Sequence, residues 1–428
     1  MEVFYPFVFL MLSINGPQSL SGRVKISGSK NAALPLIAAC LFHKTSHLEN
    51  VPRIGDIFTF IEIIKSLGGK VKFEGNTLDI DTSEFKKETL DKNLVKKIRA
   101  SILLFPALLA RFGSLEIPHP GGCVIGKRPV GDHVRGLEAI GYTYEGTDEE
   151  MRFSGTIKKG NVSFSAGFAV TATESLLIAN AWRTGVTTIH MAAIEPHVVN
   201  LIDFLRNAGT KIDIAYDHTI TIEGKKDIPE TVSGKVIHDY IESGTFVILG
   251  ALTAEPSVTI EHARIADLGA FLEKCHEAGV RFDTKPEKDE IIVYNSRTSL
   301  HAITLQTNVF PGFPTDLQSP FALLLSQAEG ISRIHEVMFE GRLNWLIEIE
   351  KMKGHIAILN PHEALIFGKT HLKGTTVSSW DLRAGVTMII AGMIARGETL
   401  ITNVEYIERG YENIVSKIEK LGGKIENK

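Results

Sequence analysis

The chain has 428 residues, with 46 basic and 50 acidic side chains, a formal net charge of −4 and a hydrophobic content of 44%. That length exceeds what one core organises, so two domains are expected. No long basic run marks a nucleic-acid surface, and three scattered cysteines (Cys40, Cys123, Cys275) without metal-ligand spacing exclude a disulfide framework and a zinc site.

Phe4 to Leu12 is apolar, like the middle of a signal peptide. No Lys or Arg precedes it and no clean cleavage pattern follows, and it is too short to span a bilayer as a helix. It reads as a buried first strand behind a short extension. With the cysteine usage, this predicts a cytoplasmic protein with no membrane association.

A repeat runs through the rest of the chain. Six amphipathic helices end on a small residue and lead into a strand: IEIIKSLGGKVKF from Ile61, VRGLEAIGYTY from Val134, LIDFLRNAGTKIDI from Leu201, AFLEKCHEAGVRF from Ala270, WLIEIEKMKGHIAI from Trp345 and IVSKIEKLGGKI from Ile414. The aligned positions Gly68, Gly141, Gly209, Gly279, Lys353 and Gly422 recur at roughly 70 residues, longer than common solenoid periods. Glycine suits the left-handed turn past a helix end; Lys353 departs from the pattern, with Gly354 one place later.

Upstream in each copy lies a second helix, apolar on all sides: NAALPLIAACLF, IRASILLFPALLARF, TATESLLIANAW, SGTFVILGALTA, TDLQSPFALLLSQA and DLRAGVTMIIAGMIA. Such helices are buried. Short strands such as SVTIEHA from Ser257 and TLITNVE from Thr399 join the two helices. Each unit therefore reads strand–helix–strand–helix–strand–strand, with buried helices in the middle, amphipathic helices around them and sheets outside. Six units divide into three per domain. The stretch GKKDIPETVSGK, polar with Pro and Gly, reads as the linker. The expected division is 30–234 for the first domain and 1–29 plus 235–428 for the second, with a cleft between them.

Four groups of residues could carry chemistry. In SGSKNAALP, Ser27 to Pro35, Lys30 and Asn31 sit where the first buried helix begins. Free N–H groups, the helix dipole and a full positive charge suit a phosphate or carboxylate there. In HPGGCVIGKRPVGDHV, His119 to Val134, glycines and prolines surround Cys123, with Lys127 and Arg128 nearby. Cationic neighbours lower a thiol pKa, and a Gly-rich loop is built to turn tightly or move, which favours a working Cys123 over an inert one. Cys40 and Cys275 lie on helices and read as inert core residues. In PGFPTDLQSP, Pro311 to Pro320, Asp316 is either a helix cap or a general base. Finally, Arg99, Arg342, Arg383 and Arg409 lie near equivalent repeat elements, where forked guanidinium groups could converge on one anion.

The motifs SGSKNAALP, IRAS, PGGCVIGKRPV, FPTDLQ, DLRAG and IERGYE, in this order, make the chain resemble the UDP-N-acetylglucosamine 1-carboxyvinyltransferase family of enolpyruvyl transferases, from about Gly16 to the C-terminus. The resemblance implies an α/β fold of two inside-out domains with three repeats each and an active site in the interdomain cleft. It implies transfer of the enolpyruvyl group of phosphoenolpyruvate to the 3-hydroxyl of UDP-N-acetylglucosamine, the first committed step of peptidoglycan synthesis, with no metal and no organic cofactor. Lys30, Asn31, Arg128, Arg383 and Arg409 resemble the phosphoenolpyruvate-binding set. Arg99, Arg128, Pro129, Val130, Gly131, Asp132, His133, Val170, Asp316 and Met338 occupy nucleotide-sugar positions. Cys123 looks like the lid cysteine, the proton donor and the residue alkylated by fosfomycin. Lys30, Cys123, Asp316 and Arg409 are the implied catalytic groups.

Three departures concern the acceptor. The family usually has Asp-Leu where Gly131-Asp132 stands, Ser-Val-Gly-Ala-Thr where Ala169 to Thr173 stands, after a short insertion near Phe164 to Phe168, and Arg where Tyr240 stands. A paralogue acting on another uridine nucleotide such as UMP is the alternative, and a non-catalytic ligand-binding descendant a further one. The related 3-phosphoshikimate enzymes lack the Gly-rich Cys loop, and an RNA-terminus cyclase would want a basic surface.

Overall fold

A left-handed residue past each amphipathic helix is the first expectation the backbone answers. The computed structural model describes residues 11–86, 90–121, 125–126, 129–147 and 149–428. In it Gly68, Gly141, Gly209, Gly279 and Gly422 have φ of +90, +111, +101, +82 and +93°. Lys353 adopts the same conformation at +69°, so the departure in sequence is no departure in geometry. Gly279 shows why glycine is favoured: a Cβ there would lie 2.1 Å from the Ser299 carbonyl oxygen.

All twelve repeat helices are present. The amphipathic set is Gly55–Ser66, Gly131–Ala139, Pro196–Asn207, Gly269–Glu277, Leu346–Lys351 and Ile414–Lys420. The buried set is Lys30–Cys40, Phe105–Phe112, Val170–Asn180, Tyr240–Thr253, Gln318–Ser326 and Leu382–Ile394. Every residue of Tyr240–Thr253 is buried, as an all-round apolar helix requires. Two of the buried helices differ from the single runs expected. IRASILLFPALLARF is a 3-10 turn, Arg99–Leu104, followed by the α-helix. Pro106 lacks an N–H and favours the first turn of a new helix, so the α-helix restarts there. TDLQSPFALLLSQA likewise begins as a 3-10 turn, Thr315–Leu317.

The described residues form two compact units, one of residues 28–121 and 129–237, the other of 11–27, 125–126 and 238–428. Each has its own core. In the C-terminal unit, the buried helices Tyr240–Thr253, Gln318–Ser326 and Leu382–Ile394 pack on one another. In the N-terminal unit, Lys30–Cys40 and Val170–Asn180 pack on each other and on the Arg99–Leu104 turn, with Phe105–Phe112 against the latter two.

Among the described residues, six sheets belong to the six repeats, five of them four-stranded. Each of these five combines antiparallel pairing with one parallel edge strand, for example Thr304–Gln306 beside Gly330–His335. Three of them borrow a strand from far along the chain, one being Thr231–Lys235 beside Thr45–Glu49. Met11–Gly16 lies between Gly397–Thr402 and Glu426–Asn427, antiparallel to both, and Leu20–Lys25 runs parallel to Ala254–Glu261. Of the strand expected in Phe4 to Leu12, Met11 and Leu12 lie in the strand Met11–Gly16; residues 4–10 lie outside the described residues. The linker reading of GKKDIPETVSGK is corrected: Thr231–Lys235 is a strand, parallel to Thr45–Glu49. Its Gly234 marks a close approach, since a Cβ there would meet the Phe204 ring at 2.6 Å.

Among the described residues, no helix is long and apolar enough to cross a membrane, and no His/Cys/Asp/Glu cluster could hold a metal ion.

Candidate active site

In the C-terminal unit, two buried helices begin with an aspartate cap. Asp239 accepts from Ile241 N and Glu242 N, and Asp381 from Arg383 N and Ala384 N. These bonds satisfy amide groups that a helix start leaves open. They also fix where Arg383 leaves the backbone, in the first turn of its helix.

Arg383 reaches Asp316. Its Nε and Nη2 lie 3.2 and 3.0 Å from Oδ2, while Arg342 Nη2 donates to Oδ1 at 2.8 Å. Both arginine side chains are almost enclosed, at 2% and 5% exposure, whereas Asp316 keeps 27%. A carboxylate between two forked donors is an oriented acceptor with one side open. Capping or catalysis were the two expectations for Asp316; its carboxylate goes to these arginines. Burial opposes the charge on Arg383, but Tyr411, Asp316 and Asp239 more than offset it, and its pKa is raised. Burial opposes Arg342 as well, yet Asp316, Asp381 and Glu336 raise it overall. Two fixed positive charges thus stand beside one carboxylate.

Arg383 also lies over the Tyr411 ring, 5.2 Å from its centroid. The Tyr411 hydroxyl is 2.9 Å from Thr245 Oγ1. Burial raises the Tyr411 pKa despite Arg383, so the phenol is neutral near pH 7. Arg383 Nη1 is buried and makes no hydrogen bond to the described residues. A guanidinium with one idle, buried N–H group is suited to a further acceptor. Arg409, half-buried, ends the short helix Glu405–Glu408, two residues before Tyr411. Gly410 between them packs on Leu382, where a Cβ would lie 2.6 Å from the side chain.

Met338, half-buried, is held by its own amide, which donates to Glu336 Oε1 at 2.8 Å. Of the Gly-rich loop, residues 122–124 and 127–128 lie outside the described residues, so Cys123, Lys127 and Arg128 are not placed. Ile125 is buried, and its carbonyl accepts from Gly341 N at 2.8 Å.

In the N-terminal unit, Ser29 caps the first buried helix. Lys30 follows as its first residue, with Nζ 3.4 Å from the buried Asp56 carboxylate, and Asn31 beside it is half-buried. Arg99 opens the 3-10 turn. Pro129 is exposed, and Val130 and Gly131 begin the helix Gly131–Ala139. Asp132 pairs with Arg135 of the same helix. His133 is only 3% exposed, and its ring nitrogens lie 3.1 Å from Ser175 Oγ and 3.3 Å from Thr171 Oγ1. Its side chain therefore joins two helices. The same contacts bring the Gly131–His133 run beside Val170 and Thr171. The extra residues near Phe164 to Phe168 form an ordered turn: Phe168 has φ of +58° and donates its N–H to Met191 O at 2.7 Å.

Cys40 and Cys275 are fully buried, and burial pushes Cys40 up to about 12 and Cys275 well above the usual thiol value. Both are inert thiols, as read from their helical setting. The sequence reading missed Asp56, Asp239 and Tyr411, and placed Arg342 only among arginines that could converge on an anion, not beside Asp316. One signal was available for Asp239: it precedes its buried helix as Ser29 and Asp381 precede theirs.

The family model for EPSP synthase (3-phosphoshikimate 1-carboxyvinyltransferase) matches residues 14–418. The chain belongs to the enolpyruvyl transferase family. Among curated relatives, UDP-N-acetylglucosamine 1-carboxyvinyltransferase 2 of Carboxydothermus hydrogenoformans is 39% identical over 414 residues, covering 96% of this chain and 98% of the relative. The UDP-N-acetylglucosamine 1-carboxyvinyltransferase of Desulfosudis oleivorans is 37% identical over 413 residues, with coverage of 96% and 98%. Among solved structures, the enolpyruvyl transferase NikO from Streptomyces tendae superposes with a TM-score of 0.87 at 25% identity, covering 97% and 98% of the two chains. EPSP synthase from Acinetobacter baumannii gives a TM-score of 0.72 at 17% identity, with coverage of 97% and 99%, and shares the fold.

Proposed function

We propose that this protein transfers the enolpyruvyl group of phosphoenolpyruvate to the 3-hydroxyl of UDP-N-acetylglucosamine and releases phosphate, the first committed step of peptidoglycan synthesis. The observation that carries the reading is the oriented Asp316 carboxylate between Arg342 and Arg383. Near-full-length identity to relatives bearing that activity's name supports the acceptor.

The chemistry follows from the donor. The enol carbon of phosphoenolpyruvate is a poor electrophile until its methylene carbon gains a proton. A general acid supplies that proton, and Cys123 is assigned this part. Cations stabilise the carboxylate and phosphate as charge shifts. Lys30, Arg128, Arg383 and Arg409 are assigned to them, with Asn31. The sugar hydroxyl then attacks C2 while Asp316 accepts its proton. Loss of phosphate from C2 of the tetrahedral intermediate, together with removal of a proton from its methyl group, restores the double bond. The run Pro129 to Asp132, with Arg99, Val170 and Met338, is assigned to the nucleotide sugar; His133 serves it by holding the Gly131 helix against Thr171.

The test is phosphate release from phosphoenolpyruvate with UDP-N-acetylglucosamine, UMP and shikimate 3-phosphate supplied separately. Turnover with UDP-N-acetylglucosamine alone supports the reading. Turnover with UMP alone assigns Gly131, Thr171 and Tyr240 to a change of acceptor, and removes the peptidoglycan role.

A further inference from the structure

Asp316 stands on a three-residue turn, Thr315–Leu317. So short a turn does not hold its own side chains still. What fixes it is a second carboxylate behind it. Glu336 is fully enclosed, at 0% exposure. Its Oε2 accepts from Thr315 Oγ1 at 2.9 Å, and its Oε1 accepts from Thr307 Oγ1 at 3.0 Å and Met338 N at 2.8 Å. Thr307 Oγ1 in turn accepts from Val337 N at 2.9 Å. A carboxylate buried away from water is costly unless its oxygens are bonded. Here they are bonded to the residue before Asp316 and to the backbone of Met338. Arg342 and Arg383 grip the Asp316 carboxylate, and Glu336 grips the hydroxyl of Thr315 next to it.

We propose that Glu336, acting through Thr315, is a positioning residue that sets the Asp316 carboxylate for proton transfer and Met338 for the acceptor. The inference rests on the proposed role of Asp316. Misplacing a catalytic group by about 1 Å costs on the order of 100-fold in rate, so the clamp has measurable weight although it touches neither reacting atom.

The experiment uses the full chain and reads phosphate release with whichever acceptor the native enzyme turns over. A failure of the UDP-N-acetylglucosamine assignment is therefore seen in the native enzyme, before any variant is made. Thr315→Val keeps the side-chain shape and removes the hydroxyl. It is expected to lower kcat about 10–100-fold with the KM for phosphoenolpyruvate nearly unchanged. Thr315→Ser restores the hydroxyl and is expected to stay within about threefold of native. The deciding step repeats Thr315→Val in an Asp316→Asn background, by single turnover with enzyme in excess. If the clamp acts through Asp316, the second change adds less than about twofold. Native kcat in Thr315→Val, or a loss that multiplies in full on Asp316→Asn, overturns the proposal. Glu336→Gln, if it folds, is expected to be non-additive with Thr315→Val in the same way.

Discussion

At the scale of single residues, the contrast is between groups that are accessible and groups that are sealed. Asp316→Asn retains the shape and both arginine neighbours but cannot take up a proton. It should lower kcat by roughly 10²–10⁴-fold with the fold intact, checked by phosphate release and thermal unfolding. Cys40 and Cys275 are buried, with thiols held far from ionisation. Iodoacetamide on the native protein near pH 8 should therefore spare both, and mass spectrometry should find label at Cys123 alone; label at either helix cysteine would contradict the burial. Lys30, Asp316 and Arg383 were legible because each sits in a short motif at a helix start. Tyr411 and the clamp on Thr315 were not, because Tyr411 meets Thr245 in another repeat and Thr315 meets Glu336 across a helix and a strand, and no local motif records either contact; Asp239 was overlooked although its place before a buried helix was a signal.

At the scale of elements, the repeat was legible almost whole, since helical periodicity and the residue after each helix are local properties. What was lost is equally physical. The strand Thr231–Lys235 is short, polar and glycine-bearing, and only its pairing with Thr45–Glu49 makes it a strand. The odd residue at the sixfold position gives a prediction. Lys353 is exposed in a left-handed conformation, so Lys353→Gly should stabilise by about 0.5–1 kcal/mol in denaturant unfolding. Gly279→Ala should instead destabilise by more than about 1 kcal/mol, because strain adds to the clash with Ser299 O. A buried acid gives the pH dependence. Burial, with Glu195 adding repulsion, holds Glu174 well above its usual 4.5. The folded state thus binds this proton more tightly, and its contribution is full below about pH 4.5 and lost as pH rises through the elevated value. Glu174→Gln should be more stable than native at pH 8, with the advantage shrinking towards pH 4.5. A constant difference across that range would refute the assignment.

At the scale of the whole molecule, the two units differ in how the chain builds them. The N-terminal unit draws its described residues from 28–121 and 129–237, whereas the C-terminal unit needs 11–27 together with 238–428. Removing residues 1–16 takes out the strand between Gly397–Thr402 and Glu426–Asn427. Hydrogen exchange should then show lost protection across the C-terminal unit, with that of Lys30–Cys40 and Val170–Asn180 retained. Equal loss in both units would mean that they fold as one.

The strand Met11–Gly16 also has a consequence for synthesis in the cell. It leaves the ribosome long before its two neighbours in the sheet, Gly397–Thr402 and Glu426–Asn427. At about 5–20 residues per second, that leaves an apolar segment waiting on the order of 20–80 s for a partner. During that wait the N-terminal unit can complete its own core. The nascent chain therefore carries one finished body beside an unsatisfied strand, and its yield should depend on whatever shields that strand until those neighbours are made.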